Sequence, residues 1–403
     1  MKHFAIGIAF SAALLTAAGC AHGQNDRQAG ERARPHQAKN VVLLIGDGMG
    51  QNHASATAYA LYGTKLDEDG NPPRLTWEHF PVLGLVTNMP TNGFVTDSAA
   101  SGTALACGEK TYNSAIGMAE DAETPLKSIA DIAHERGKAV GIISSVPLNH
   151  ATPAAFYAKA KSRNEYDNIA KQAFETKNAD VILGGALKRQ ELTEDQLVEM
   201  ATENGKLLFS LGNLDQLTPE FVGERQVVGY FSADKDDKLT HDRSILTTEG
   251  EPSLEELALR TLALIGRDPD GFFLMVEGGA IDWAAHGNNI DDMINETKEF
   301  DLAVAAVLAW LEENDQLEDT LVIVTADHET GGLTITGAYD KPFDPATSAE
   351  AYSWSTKGHT AACIPVWARG PGARRLAGKI DQTRVFDVMK GQVAPESRKG
   401  AKK

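Results

Sequence analysis

The chain has 403 residues, 42% of them hydrophobic, enough to bury the core of one large α/β domain or two ordinary ones. With 56 acidic against 38 basic residues its formal net charge is −18, which excludes a broad nucleic-acid face and leaves room for a local cationic pocket. The acidic excess also fits carboxylates gathered around metal ions.

The N-terminal stretch "MKHFAIGIAFSAALLTAAGCAHG" has a basic residue (Lys2), an apolar run from Phe4 to Leu15 and small residues up to Cys20, the layout of a bacterial export signal. That run is too short to span a membrane as a mature helix. Two processing routes fit: lipidation of Cys20, with Ala17 standing where the lipoprotein pattern usually has Leu, or ordinary cleavage after Ala21. Either route exports the protein, to the periplasm or to the outer membrane as a lipoprotein, and Cys20 is the one membrane anchor expected. Residues 1–20 are therefore read as the signal and the polar 21–39 as a flexible tether. Residues 40–390 are read as a single folded domain, and 391–403, which includes "PESRKGAKK", as a flexible basic tail.

From residue 40 onward, apolar runs at 40–45, 139–144, 179–183, 272–276, 320–325 and 364–368 are mostly unbroken rather than alternating, as in strands covered on both faces. Helical patterns at 125–137, 253–266 and 291–313 lie among them. This alternation predicts a doubly wound α/β fold with a mostly parallel central sheet and helices on both faces. The more polar stretch 187–250 reads as a peripheral insertion. Cys107 and Cys363 make no disulfide scaffold. Export would permit them to pair, and two buried thiols are the simpler reading.

Ligands in open α/β sheets gather beyond the carboxyl ends of the strands. Asp47 follows the first apolar run in "LLIGDGMG", Glu277, Asp282 and His286 follow another in "FFLMVEGGAIDWAAHG", and Asp327 and His328 end a third in "LVIVTADHETGG". A single acid there is usually a helix cap or a turn residue. Three strand ends carrying carboxylates, two of them with imidazole, are instead expensive unless a cation compensates them. Asp282 and His286, at i and i+4, share one helix face at a metal-ligand spacing. Mixed Asp/His sets favour zinc, and oxygen sets such as Glu277 with the Thr152 hydroxyl favour magnesium. His359 precedes another buried strand and completes the candidates, whereas His53, His79, His134 and His241 read as surface or core residues. The segment "VTDSAASGTALACG" places Ser98 at the mouth of a helix without the G-x-S-x-G elbow of serine hydrolases. No histidine stands close to it in the sequence, which leaves open what would activate such a serine.

The stretches "VVLLIGDGMG", "VTDSAASGTALACGEKTYNSAIGM", "HATPAAFYAKAKSRNEY", "DVILGGA", "FFLMVEGGAIDWAAH", "LVIVTADHETGG" and "GHTAACIPVWARGPGA" resemble, in family order, the metal-dependent alkaline phosphatases. The resemblance implies one zinc on Asp282, His286 and His359, and a second on Asp47, Asp327 and His328 that Ser98 joins. It places magnesium on Asp47, Thr152 and Glu277, and a phosphate-gripping arginine at Arg163, with Asp97 supporting it. It further implies hydrolysis of small phosphate monoesters through a phosphoserine, no specific nucleic-acid partner, and a homodimer. His150 and Trp283 stand where the best-known bacterial pattern has aspartate and lysine, which resembles another bacterial branch. That pair implies weaker support for magnesium and no ammonium beside the phosphate. Phosphodiester or sulfate hydrolysis on the same fold, and non-catalytic zinc or phosphate binding, are the competing readings.

Overall fold

The computed structural model describes residues 37–231, 251–336, 343 and 351–394. Its strands β1 (Asn40–Gly46), β2 (Val82–Thr87), β3 (Ala139–Ser144), β4 (Val181–Gly184), β5 (Leu207–Phe209), β6 (Val227–Tyr230), β7 (Phe272–Gly278) and β8 (Thr320–Ala326) share one sheet with Ile364–Arg369 and Gly378–Asp381. From one edge the order is Gly378–Asp381, β2, Ile364–Arg369, β8, β1, β7, β3, β4, β6, β5. The central strands β1, β7 and β8 are buried at every position, as unbroken apolar runs require. Ile364–Arg369 runs antiparallel to both β2 and β8; the other pairings in this sheet are parallel.

Helices Leu254–Ile265 and Ile290–Glu313 pack on each other and on the central strands. A second set, Ile129–Glu135, Ala151–Ala154 and Thr383–Val393, packs on the same strands. The result is the doubly wound α/β architecture expected from the alternation of elements. The helix expected over 125–137 is shorter because Ser128 caps it, its Oγ accepting from Asp131 N at 3.1 Å.

Two boundaries differ from the sequence reading. Residues 37–39 belong to the body rather than to a tether: Ala38 is buried and its N–H donates to Gln392 Oε1 at 2.9 Å, and Lys39 N donates to Asp319 O at 2.7 Å. The tail expected from 391 starts inside the helix Thr383–Val393. The described part of the stretch 187–250, residues 187–231, supplies β5 and β6 at the sheet edge.

The export signal, Cys20, Ala21 and His241 lie outside the described residues. Among the described residues no helix is long and apolar enough to cross a membrane. Cys107 and Cys363 are both free; Cys107 is buried, which pushes its thiol up to about 12, and Cys363 is half-buried.

Candidate active site

Register brings the chemistry together. Gly46 at the end of β1 lies beside Gly278 of β7 and Ala326 of β8, so Asp47, the helix Ala280–His286 and the pair Asp327–His328 leave the sheet at one point. Gly48 makes the turn there with φ of +70°, and an added Cβ would lie 2.9 Å from the Asp282 Cα and 2.8 Å from Thr330 Oγ1. Only glycine fits that approach without strain. Glu277 is not beyond β7 but inside it, paired in register with Ile45 and with Ser144 of β3. His359 arrives from the far end of the chain because the short strand His359–Thr360 pairs with Glu329–Thr330.

Three groups of potential ligands result. In the first, Asp282, His286 and His359 converge: His286 Nε2 lies 3.3 Å from Asp282 Oδ2 and 3.1 Å from His359 Nε2, and His359 Nε2 lies 3.5 Å from Asp282 Oδ1. In the second, His328 Nε2 lies 3.2 Å from Asp327 Oδ2 and 3.5 Å from Asp47 Oδ1. In the third, the ligand atoms of Asp47, His150 and Glu277 lie within 4.8 Å of one another. Thr152 is fully buried, at the start of the short helix that follows His150. The His328 and His359 rings stack at 3.6 Å and link the first two groups.

Burial and the neighbouring Asp327 and Asp282 carboxylates push Asp47 well above the usual carboxylate range. Burial likewise pushes Glu277 up to about 8 and Asp327 up to about 6. Burial opposes ionisation of Asp282 too, yet hydrogen bonds from His286 and His359 hold its carboxyl well below that range. Asp47 Oδ2, Glu277 Oε1, Thr152 Oγ1 and His150 Nδ1 are buried and find no hydrogen-bond partner among the described residues. Each such orphan costs roughly 1–3 kcal/mol unless something else binds it. Crowded carboxylates, imidazoles and a hydroxyl with idle lone pairs form a donor set that fits divalent cations.

Ser98 is the first residue of the helix Ser98–Cys107, and its Oγ lies 3.2 Å from His328 Nε2 and 3.5 Å from Asp47 Oδ1. Asp97 caps that helix, Oδ1 accepting from Ala100 N at 3.0 Å, while its Oδ2 accepts from Ser114 N at 3.0 Å and from Arg163 Nη1 at 3.2 Å. Arg163 Nη2 also contacts His150 Nε2 at 3.1 Å, and the His150 and Trp283 rings meet edge-on at 5.7 Å. Burial first, then the charges of Arg163 and Lys188, hold His150 well below the usual imidazole range. The thirteen predicted site residues thus fall into one connected constellation. Of the set-aside histidines, His53 is buried and packs edge-on against Trp354, His134 is half-buried and His79 is exposed.

Several supporting residues escape sequence reasoning. Thr330 Oγ1 donates to Asp282 Oδ1 at 2.5 Å and reaches His328 Nδ1 at 3.3 Å. Ser144 donates to Glu277, and His359 Nδ1 is held by Thr96 O at 2.8 Å. Asn88 and Gln382 both donate to Asp327 O. Lys188 also approaches this corner, its Nζ lying 5.7 Å from the Trp283 ring centre. Only the H-x-T spacing of His328 to Thr330 hints at any of these, because the rest are brought in by tertiary structure.

The sequence model of the alkaline phosphatase family matches residues 38–353. Alkaline phosphatase 4 of Bacillus subtilis (strain 168) is 34% identical over 342 residues, covering 83% of this chain and 71% of that protein. The alkaline phosphatase of Escherichia coli (strain K12) is 31% identical, covering 88% of this chain and 85% of its own. Among solved structures, the alkaline phosphatase from the Antarctic bacterium TAB5 superposes with a TM-score of 0.76 at 32% identity, over 90% of this chain and 100% of that one. A match of this extent around such a constellation means that the chain belongs to the alkaline phosphatase family, whose metal-dependent hydrolysis of phosphate monoesters it shares.

Proposed function

We propose that Ser98 is the nucleophile of this hydrolysis and is phosphorylated in the course of each turnover. The observation that carries the reading is the position of its Oγ, which touches His328 and Asp47 at the rim of the buried ligand groups. Asp282, His286 and His359 would hold one zinc, Asp47, Asp327 and His328 a second, and Asp47, Thr152 and Glu277 a magnesium. Bound there, the cations supply positive charge that favours ionised hydroxyls and offsets charge on phosphoryl oxygens.

The chain's own part follows from its geometry. Ser98 Oγ, deprotonated, attacks phosphorus in line as the bond to the leaving alcohol breaks, and the alcohol departs with a proton. Water then attacks the phosphoserine, restoring Ser98 and releasing inorganic phosphate. The Arg163 fork grips two unesterified phosphoryl oxygens. Asp97 aims that fork, and the amides at the start of Ser98–Cys107 face the anion. His150 and Trp283 line the same pocket.

The leader directs export, with processing at Cys20 or after Ala21, and the mature chain assembles as a homodimer. Exposed Leu83, Leu85, Met89 and Phe94 offer apolar surface for that assembly.

Ser98→Ala is expected to retain its metals by elemental analysis and to lose turnover by roughly 10³-fold or more. Acid quenching should trap phosphoserine in the wild type alone. Chelation should abolish activity, with zinc restoring more than magnesium alone, and a nitrophenyl monophosphate should outrun the matching diester and sulfate. A Ser98→Ala enzyme that turns over normally sinks the assignment.

A further inference from the structure

Lys188 lies on the loop after β4, and its position is built rather than incidental. Fully buried Asn149 clamps it: Lys188 N donates to Asn149 Oδ1 at 3.0 Å, and Asn149 Nδ2 donates to Lys188 O at 2.8 Å and to Tyr166 O at 3.0 Å. Asn149 also directly precedes His150, so one side chain ties the Lys188 loop, the Tyr166 segment and the phosphate pocket together. The Lys188 Nζ lies 5.4 Å from the centre of the Tyr166 ring and 5.7 Å from that of Trp283. Trp283 in turn packs edge-on against His150, which Arg163 contacts.

The two cations of this corner differ in one respect. Arg163 is paired with Asp97 at 3.2 Å, whereas among the described residues no carboxylate lies within ion-pair range of Lys188. Aromatic faces attract an ammonium without neutralising it. A half-buried cation beside the Trp283 and His150 corner, in a chain of net charge −18, is the local attraction a dianion needs against a repulsive whole.

We propose that Lys188 is the second cation of the phosphate site, an ammonium braced on Trp283 and Tyr166 that draws the phosphoryl dianion, and its inorganic product, toward Arg163. The inference rests on the phosphate site proposed above. It makes Lys188 an affinity residue and not a participant in bond breaking, so its loss shows in KM and in product binding and leaves kcat nearly unchanged.

The test is calorimetric titration of inorganic phosphate into the metal-loaded enzyme, for the wild type, Lys188→Met, Lys188→Arg and Arg163→Ala. Lys188→Met keeps the aliphatic stem over the rings and removes the charge. It is expected to bind phosphate about tenfold more weakly, equal to ~1.4 kcal/mol, and to raise KM for a small monoester by a similar factor. Lys188→Arg should recover most of the affinity, and the gap between wild type and Lys188→Met should narrow as salt is raised. A merely structural lysine would produce neither the arginine rescue nor the salt dependence. Phosphate affinity within twofold of wild type in Lys188→Met, with Arg163→Ala greatly weakened, overturns the role of Lys188 alone. Wild-type affinity in Arg163→Ala would overturn the phosphate site itself and this inference with it.

Discussion

Asp97 carries two duties on its two oxygens. Oδ1 caps the helix that presents Ser98, and Oδ2 orients Arg163. Substitution separates them: Asp97→Asn keeps an oxygen for the cap and removes the charge that holds the guanidinium, whereas Asp97→Ala removes both. Asp97→Asn is expected to raise KM severalfold with little change in melting. Asp97→Ala should additionally lose about 1 kcal/mol of stability through the cap. Kinetics with Arg163→Ala as the partner in a double-mutant cycle checks this, since two residues acting as a unit are far from additive; strict additivity would show that Asp97 acts independently of the arginine. At this scale Asp47, Asp327 and His328 were legible in the sequence because each follows a long buried run, where an unpaired charge is costly, and Asp282 because it stands four residues before His286 on one helix face. Lys188 was not, because its place over Trp283 depends on a contact between residues 95 positions apart, which no local pattern encodes.

Among elements, the central strands were readable and the edges were not. β1, β7 and β8 are unbroken apolar runs, and burial on both faces leaves no other reading. β2 was missed because it is covered on one face only: Val82, Gly84 and Val86 point inward, while Leu83 and Leu85 point out and hide the alternation that marks such a strand. β5 and β6 are three and four residues long, too short for periodicity to register. The outward leucines of β2 have a consequence for assembly. If the homodimer uses this apolar surface, Leu85→Lys should convert it to a monomer in sedimentation velocity while leaving the melting temperature of the protomer within a few degrees. An unchanged sedimentation coefficient would place the interface elsewhere.

For the molecule as a whole, the crowded carboxylates set an unusual dependence of stability on pH. In the metal-free protein Glu277 titrates near about 8 and Asp327 near about 6, both above their unfolded values of 4.5 and 3.8. Between those limits the native state holds protons that the unfolded chain has released, so the contribution of these two carboxylates falls as pH rises from about 4 to 8, while buried His53, His150 and His328, held below the usual imidazole range, contribute with the opposite sign. Cations that require ionised ligands reverse the sign, because lowering the pH then displaces them. Relative to loaded protein, chelated protein is expected to lose on the order of 5 °C of melting temperature between pH 5 and pH 8. Parallel slopes in the two preparations, followed by calorimetry, would mean that these carboxylates are not the titrating groups.

The position of β1 has a temporal meaning as well. Val41 pairs with Phe273 on one side and Leu321 on the other, and the helix Thr383–Val393 packs against the same strand. A ribosome delivers the chain from its N-terminal end, so the first strand made has both of its neighbours among the last. Until then β1 is an unpaired apolar segment, and the ligand constellation at its tip cannot form. Contacts of such long range make folding slow and late. The nascent chain therefore stays open and without a catalytic site through most of its synthesis, its apolar first strand exposed to self-association until β7 and β8 are made.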